Sequence, residues 1–197
     1  MARWGRFAAA YAAMALFAAL VALGTRGSLP LSSPSAWLPL RSPRDVLYSL
    51  ALGICFGALI AVGTRLCVPR FAWARDLHRE LRPLARDLSS MGIVALAVTS
   101  SLGEELLFRG LLQPWLGLWL QALLFGVLHQ LAGPSRWVWA GWATLVGLAL
   151  GAIFSLTGSL AGPLAAHALI NGLNLSYLRS HDPSPRRGLG GLLGSRG

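Results

Sequence analysis

The sequence contains no lysine, only seven acidic residues and two cysteines in 197 residues, and charged side chains of every kind make up just 12% of it. A soluble domain carries about 25% charged residues, so this chain cannot clothe a globular surface in the usual way. The two cysteines, Cys55 and Cys67, fall in or at the end of one apolar run. They lack metal-ligand spacing, and on one continuous helix they stand too far apart to bridge, which leaves ordinary apolar packing. The acids do not balance the seventeen arginines, so the formal net charge is +10. Such an excess suits nucleic acid when it gathers on a polar face. Here the arginines lie in short segments between apolar runs, where a membrane surface accounts for them, and no nucleic-acid partner is expected. Arginine in place of every lysine reflects base composition more than function. No internal repeat is visible, which speaks against the inverted-repeat transporters.

What the chain has instead is apolar length. Hydrophobic residues make up 55% and the mean hydropathy is +0.59, and several apolar runs reach about 18 residues, enough to span a bilayer. The expected fold is all-α, a polytopic membrane bundle of about six transmembrane helices. The first run, 7–23, follows Arg3 and Arg6 and resembles a signal peptide, with a candidate cleavage point near Ala22-Leu23-Gly24, but further spans follow it. Residues 27–44, rich in Ser and Pro, read as an exposed loop. A second span covers 46–68, where Gly53, Gly57 and Gly63 offer close helix approach. The basic segment 69–87 reads as an interfacial amphipathic helix.

A third span, 88–112, breaks at 114–118 into a fourth that ends near 129–131. A fifth covers 137–156 and a sixth 160–178. Three divisions result: 1–87 with two spans and a basic connection, a four-helix core at 88–178, and a disordered basic tail at 179–197. With both termini inside, thirteen arginines fall on the cytoplasmic side, only Arg26, Arg41 and Arg44 fall outside, and Arg109 is in the membrane. That asymmetry follows the positive-inside pattern. It places the chain as an integral protein of a bacterial inner (plasma) membrane with cytoplasmic termini.

The third span contains the sequence's main anomaly. Glu104, Glu105 and Arg109 interrupt an apolar run, and each charge at a helix centre costs roughly 2.5–3.5 kcal/mol on insertion scales. Glu105 and Arg109 are i,i+4 neighbours with the acid on the favourable side, so they neutralise one another. Glu104 points about 100° away and has no local partner. Two other spans carry polar pairs at the same spacing: Phe125 with His129, and His167 with Asn171. Each pair lies on one helix face. Glu104 and His129 flank the 114–118 break almost symmetrically, so a hairpin there brings them to similar depth, although His129 sits nearer the inner boundary on a simple count.

Glu104-Glu105-x-x-x-Arg109, Phe125-x-x-x-His129 and His167-x-x-x-Asn171, in that order on three spans, resemble the CAAX protease and bacteriocin-processing (CPBP, or Abi) family of intramembrane endopeptidases. All three motifs match without departure, and the resemblance covers about 88–177. The small size also resembles the myxosortase or exosortase-like members. The resemblance implies an intramembrane endopeptidase acting on a membrane-associated protein or peptide, near its C-terminus, by glutamate-activated water and with no metal.

In that reading Glu104 is the general base and His129 orients water or relays the proton. His167 and Asn171 donate to the oxyanion, and Glu105, Arg109 and Phe125 support them. The alternative is zinc held by Glu104, His129 and His167, since one carboxylate and two imidazoles leave an open position; no H-E-x-x-H helix is present. Two non-protease readings are a proton-coupled transporter and a non-catalytic scaffold or immunity protein. His78 and His181 read as surface bystanders. The sequence leaves substrate identity and oligomeric state open.

Overall fold

The computed structural model describes residues 3–33, 35–38 and 40–183. Among them the chain forms seven α-helices and one π-helical segment, with no strand beyond an isolated bridge between Ser32 and Ser159. The helices are α1 (Arg3–Arg26), α2 (Arg44–Arg70), α3 (Ala72–Ala85), α4 (Ser90–Glu105), α5 (Gln113–Leu128), α6 (Arg136–Thr157) and α7 (Ala161–Ser180), and the π segment is Leu106–Leu112. The chain is an all-α membrane bundle, as its composition leads one to expect.

By length and composition, four stretches are able to cross a membrane: Trp4–Arg26, Arg44–Arg70, Ser90–Leu128 and Arg136–Thr157. Two of the six expected spans escape that count for physical reasons. Ser90–Leu128, counted as one stretch of 39 residues, is a hairpin. Gly117 sits in its middle at φ 74°, ψ 173°, a conformation open to glycine and strained for other residues. After Gly117 only about three turns of α5 remain, so the return leg is short. The other difference is α7, whose twenty residues include His167, Asn171 and Asn174. It is too polar to count by hydropathy and instead packs inside the bundle, most extensively against α2 and α4.

Small residues set the helix spacing. Gly53 on α2 meets the backbone of Gly162 on α7 with no room for a Cβ, and Gly57 lies 3.0 Å from the Ala166 carbonyl on the same measure. The Ser49 hydroxyl donates to the Ser159 carbonyl at 2.8 Å and accepts from the Gly162 amide at 2.9 Å. Gly63, the third glycine of that run, faces open space.

On α1 the residues buried against the bundle are Ala15, Ala18 and Ala22. They pack with Leu106, Leu111, Phe154 and Leu160. The first span is therefore a working part of the bundle.

The two ends of the bundle are built differently. At one end the loop after α1 covers the α6–α7 turn, with the Ser33 amide donating to the Gly158 carbonyl and Leu160 to that of Leu31. Gly158, at φ 77°, is the left-handed residue that ends α6. At the other end α3 lies across the bundle. Its Glu80 accepts from the backbone amide and hydroxyl of Ser135, a carboxylate at the positive end of α6. His78, expected at the surface, is only 3% exposed. It donates to the His181 carbonyl at 3.0 Å and packs edge-on to Tyr177. The basic tail lies largely outside the described residues; its first two residues, Arg179 and Ser180, complete α7.

Candidate active site

The hairpin brings the expected residues together. A straight helix would hold Glu104 and His129 roughly 37 Å apart, yet His129 Nε2 lies 3.5 Å from Glu104 Oε2. His129 caps the C-terminal end of α5, and because the return leg stops there it stands beside Glu104 and not at the inner boundary. His167, from α7, places its Nε2 3.7 Å from the same Glu104 oxygen. One carboxylate oxygen thus faces two imidazoles from two other helices.

Beneath it lies an ion pair cut off from solvent. Arg109 Nη1 donates to Glu105 Oε1 at 2.8 Å, with both side chains at 0% exposure. Desolvating two ions costs several kcal/mol each unless further bonds offset it, and Arg109 has them. Its Nη2 donates to the Gly147 carbonyl on α6 at 3.0 Å, and its guanidinium lies 4.3 Å from the centre of the Phe125 ring. Glu105 Oε1 also accepts from His167 Nδ1 at 2.7 Å. The turn that holds Arg109 is the π segment, a rare geometry often found at functional sites. Its Gly110 accepts from Arg26 Nη2 at 2.6 Å.

These bonds fix the tautomers. A carbonyl only accepts, so His129 Nδ1, 2.6 Å from the Phe125 carbonyl, carries the proton. Glu105 Oε1 already takes the Arg109 proton and is an acceptor, so His167 Nδ1 also donates. In the neutral rings both Nε2 atoms are therefore acceptors, and both face Glu104 Oε2.

Phe125 sits at the centre of this arrangement. Its ring centre is 4.2 Å from His129, 6.0 Å from His167 and 5.0 Å from Phe108. Asn171 stands one turn along α7, where its side-chain nitrogen donates to the Ser100 hydroxyl on α4 at 2.9 Å. Among the described residues it makes no hydrogen bond to Glu104 or to either histidine.

Sequence reasoning missed Ser100, the Gly147 carbonyl and Tyr11, whose backbone carbonyl lies beside Gly103 where α1 crosses α4. Ser100 sits one turn before Glu104, a spacing that could have drawn notice. A backbone carbonyl leaves no mark in a sequence. Tyr11 was readable only as the polar-tipped residue of the first apolar run.

Residues 87–173 match the family described as Rce1-like, Type II CAAX prenyl endopeptidase Rce1-like. The uncharacterized protein YpbD of Bacillus subtilis (strain 168) is 34% identical over 87 residues, covering 44% of this chain and 46% of that protein. The chain therefore aligns with about half the length of the curated relative it matches. No solved structure matches it.

Proposed function

From the match of residues 87–173 to the Rce1-like family, we propose that this integral membrane protein is an intramembrane endopeptidase that cuts a membrane-associated protein near its C-terminus, a prenylated CAAX tail being the first candidate. The observation that carries the reading is the convergence of two imidazole Nε2 atoms on Glu104 Oε2, at 3.5 and 3.7 Å. A water molecule has two hydrogens to donate, and Glu104 Oε2 and His129 Nε2, 3.5 Å apart, are the pair it joins best. The site is enclosed by apolar side chains and backed by a neutral ion pair, so a water held there is oriented and shielded.

Glu104 takes one proton from this water while the water oxygen attacks the scissile carbonyl carbon. His129 orients the water through Nε2, its own tautomer fixed by the Phe125 carbonyl. The oxyanion that develops is met by Asn171, whose amide keeps a second N–H beyond the bond to Ser100, and by His167, whose ring is held through Nδ1 by the Glu105 carboxylate. Collapse breaks the C–N bond, and the proton held by Glu104 passes to the leaving amine. Glu105, Arg109 and Phe125 hold this geometry without touching substrate.

The same two Nε2 atoms favour a second reading, in which Glu104, His129 and His167 would hold zinc, which would supply a Lewis acid and lower the pKa of water. No H-E-x-x-H helix is present and Asn171 is a poor zinc ligand, so the glutamate reading is preferred.

The test is cleavage of a farnesylated peptide ending in a CAAX tail by protein purified in detergent, with products read by mass spectrometry. A defined cut in the tail, absent from folded Glu104→Ala and His129→Ala, is the expected result. Intact probe with folded wild-type protein, together with proton-coupled uptake in vesicles, would favour a transporter.

A further inference from the structure

Each leg of the hairpin carries a buried glutamine. Gln113 opens α5 four residues before Gly117, and Gln121 stands four residues after it; they are 6% and 0% exposed. A carboxamide in an apolar bundle bears a desolvation cost that a leucine would avoid, so what it adds there is directed bonding. Gln113 Nε2 donates to the Gly151 carbonyl at 2.9 Å and to the Ser155 hydroxyl at 2.8 Å. Gln121 Nε2 donates to the Leu118 carbonyl at 3.1 Å, just past the break, and reaches the Gly147 carbonyl at 3.5 Å. The Gly147 carbonyl is also the one that accepts from Arg109 Nη2.

Gly147, Gly151 and Ser155 recur every four residues and so line one face of α6. The two glycines leave room for the side chains that reach this face. A Cβ on Gly151 would stand 2.6 Å from Gln121 Nε2 and 2.7 Å from Gln113 Oε1, and one on Gly147 would stand 3.1 Å from Arg109 Nη2. Both legs are thus bonded to the same row of α6, the outgoing leg through Arg109 and Gln113 and the return leg through Gln121. Apolar packing is non-directional, and lipid tails offer no hydrophobic preference for one register over the next turn, 5.4 Å away. A slide of that size would carry His129, eight residues beyond Gln121, away from Glu104, which it meets at 3.5 Å. We infer that Gln113 and Gln121 are positioning residues: bonded to neighbouring turns of α6, they fix the register of the two hairpin legs and, through it, the approach of His129 to Glu104. The inference rests on the peptidase reading for its catalytic consequence but not for the register itself.

Gln113→Met and Gln121→Met keep the length of the side chain and remove the amide, and they are tested by two readouts. The first needs no substrate. Protein labelled with 15N at its four histidines is purified in detergent, and its imidazole 15N signals are compared with those of wild type, with thermal unfolding measured alongside. The His129 signals should shift or broaden in both variants, while those of His78 and His181, on α3 and after α7, stay in place. Ser155→Ala takes one acceptor from Gln113 and leaves both glutamines. It should move the same signals less, and it supplies the measurement if either of the other variants fails to fold.

The second readout is cleavage of the farnesylated CAAX probe. In Gln113→Met and Gln121→Met kcat should fall roughly 10- to 100-fold, the scale of a misplaced catalytic group, with KM unchanged. Shifted His129 signals with no cleavage by wild type would support the register while refuting the peptidase reading. A lower unfolding temperature with unchanged His129 signals and unchanged kcat would reduce the two glutamines to packing and overturn the inference.

Discussion

At the scale of single residues, the site is a set of shared obligations. Glu105 Oε1 accepts from both Arg109 and His167, so it neutralises one side chain and fixes the tautomer of another. Glu105→Gln leaves Arg109 buried with no counter-charge, a change worth about 3–5 kcal/mol. Low accumulation and a lowered unfolding temperature in detergent are the expected outcome; a stable but inactive variant would move Glu105 into the chemistry. Asn171→Ala should keep its fold and lose roughly 10²–10³-fold in kcat, the scale of one oxyanion donor, and near-normal kcat would confine Asn171 to its bond with Ser100. The Glu105–Arg109 pair was legible because i,i+4 spacing is a local signal, and so were the Phe125–His129 and His167–Asn171 faces. Tyr11 was not, because its place beside Gly103 depends on how α1 crosses α4.

Individual elements show where local signals stop. The 114–118 break was readable from Pro114 and Gly117, and the hairpin followed from it. The length of the return leg was not, and a simple count therefore placed His129 too near the inner boundary. The π segment has no sequence mark either; it arises where Arg109 must reach Glu105 and the Gly147 carbonyl at once. Two of the three glycines read as close-approach sites on α2, Gly53 and Gly57, do face α7. Gly126 on α5 is the sharper test of the hairpin. Its Cβ would meet Thr144 Oγ1 and stand 2.5 Å from the Ala140 carbonyl on α6. Gly126→Ala should push α5 from α6, cost about 1–3 kcal/mol by overpacking and lower kcat, because His129 follows three residues later. Unchanged stability and rate would show that the two helices separate freely.

For the whole molecule, membrane topology and pH response are the open properties. The division of arginines, thirteen against three, predicts that α3 and both termini face the cytoplasm. With Cys55 and Cys67 replaced, a cysteine at Ser33 should label from outside and one at Arg79 should not; the reverse would invert the topology. The inner end carries its own titration. Burial pushes the His78 imidazole down from its usual range, and the nearby His181 and Arg82 push the same way, while the His181 carbonyl and Asp182 pull it up. With the folded value below the unfolded one, the unfolded chain binds more protons in between. Stability is then full above about pH 6.5 and falls as pH drops through the folded value. The unfolding temperature should decline between about pH 7 and pH 5, less steeply in His78→Asn; identical slopes would remove His78 from the response.

The central claim, a glutamate that activates water without metal, is tested most directly in one preparation. Purified wild-type protein and Glu104→Gln are treated with chelator, their bound zinc is quantified, and cleavage of the farnesylated CAAX probe is measured beside their unfolding temperatures. The account expects a metal-free wild type that still cuts the probe, and a Glu104→Gln variant of similar stability that does not. Zinc at one per chain, needed for activity and lost in His129→Ala and His167→Ala, would contradict it.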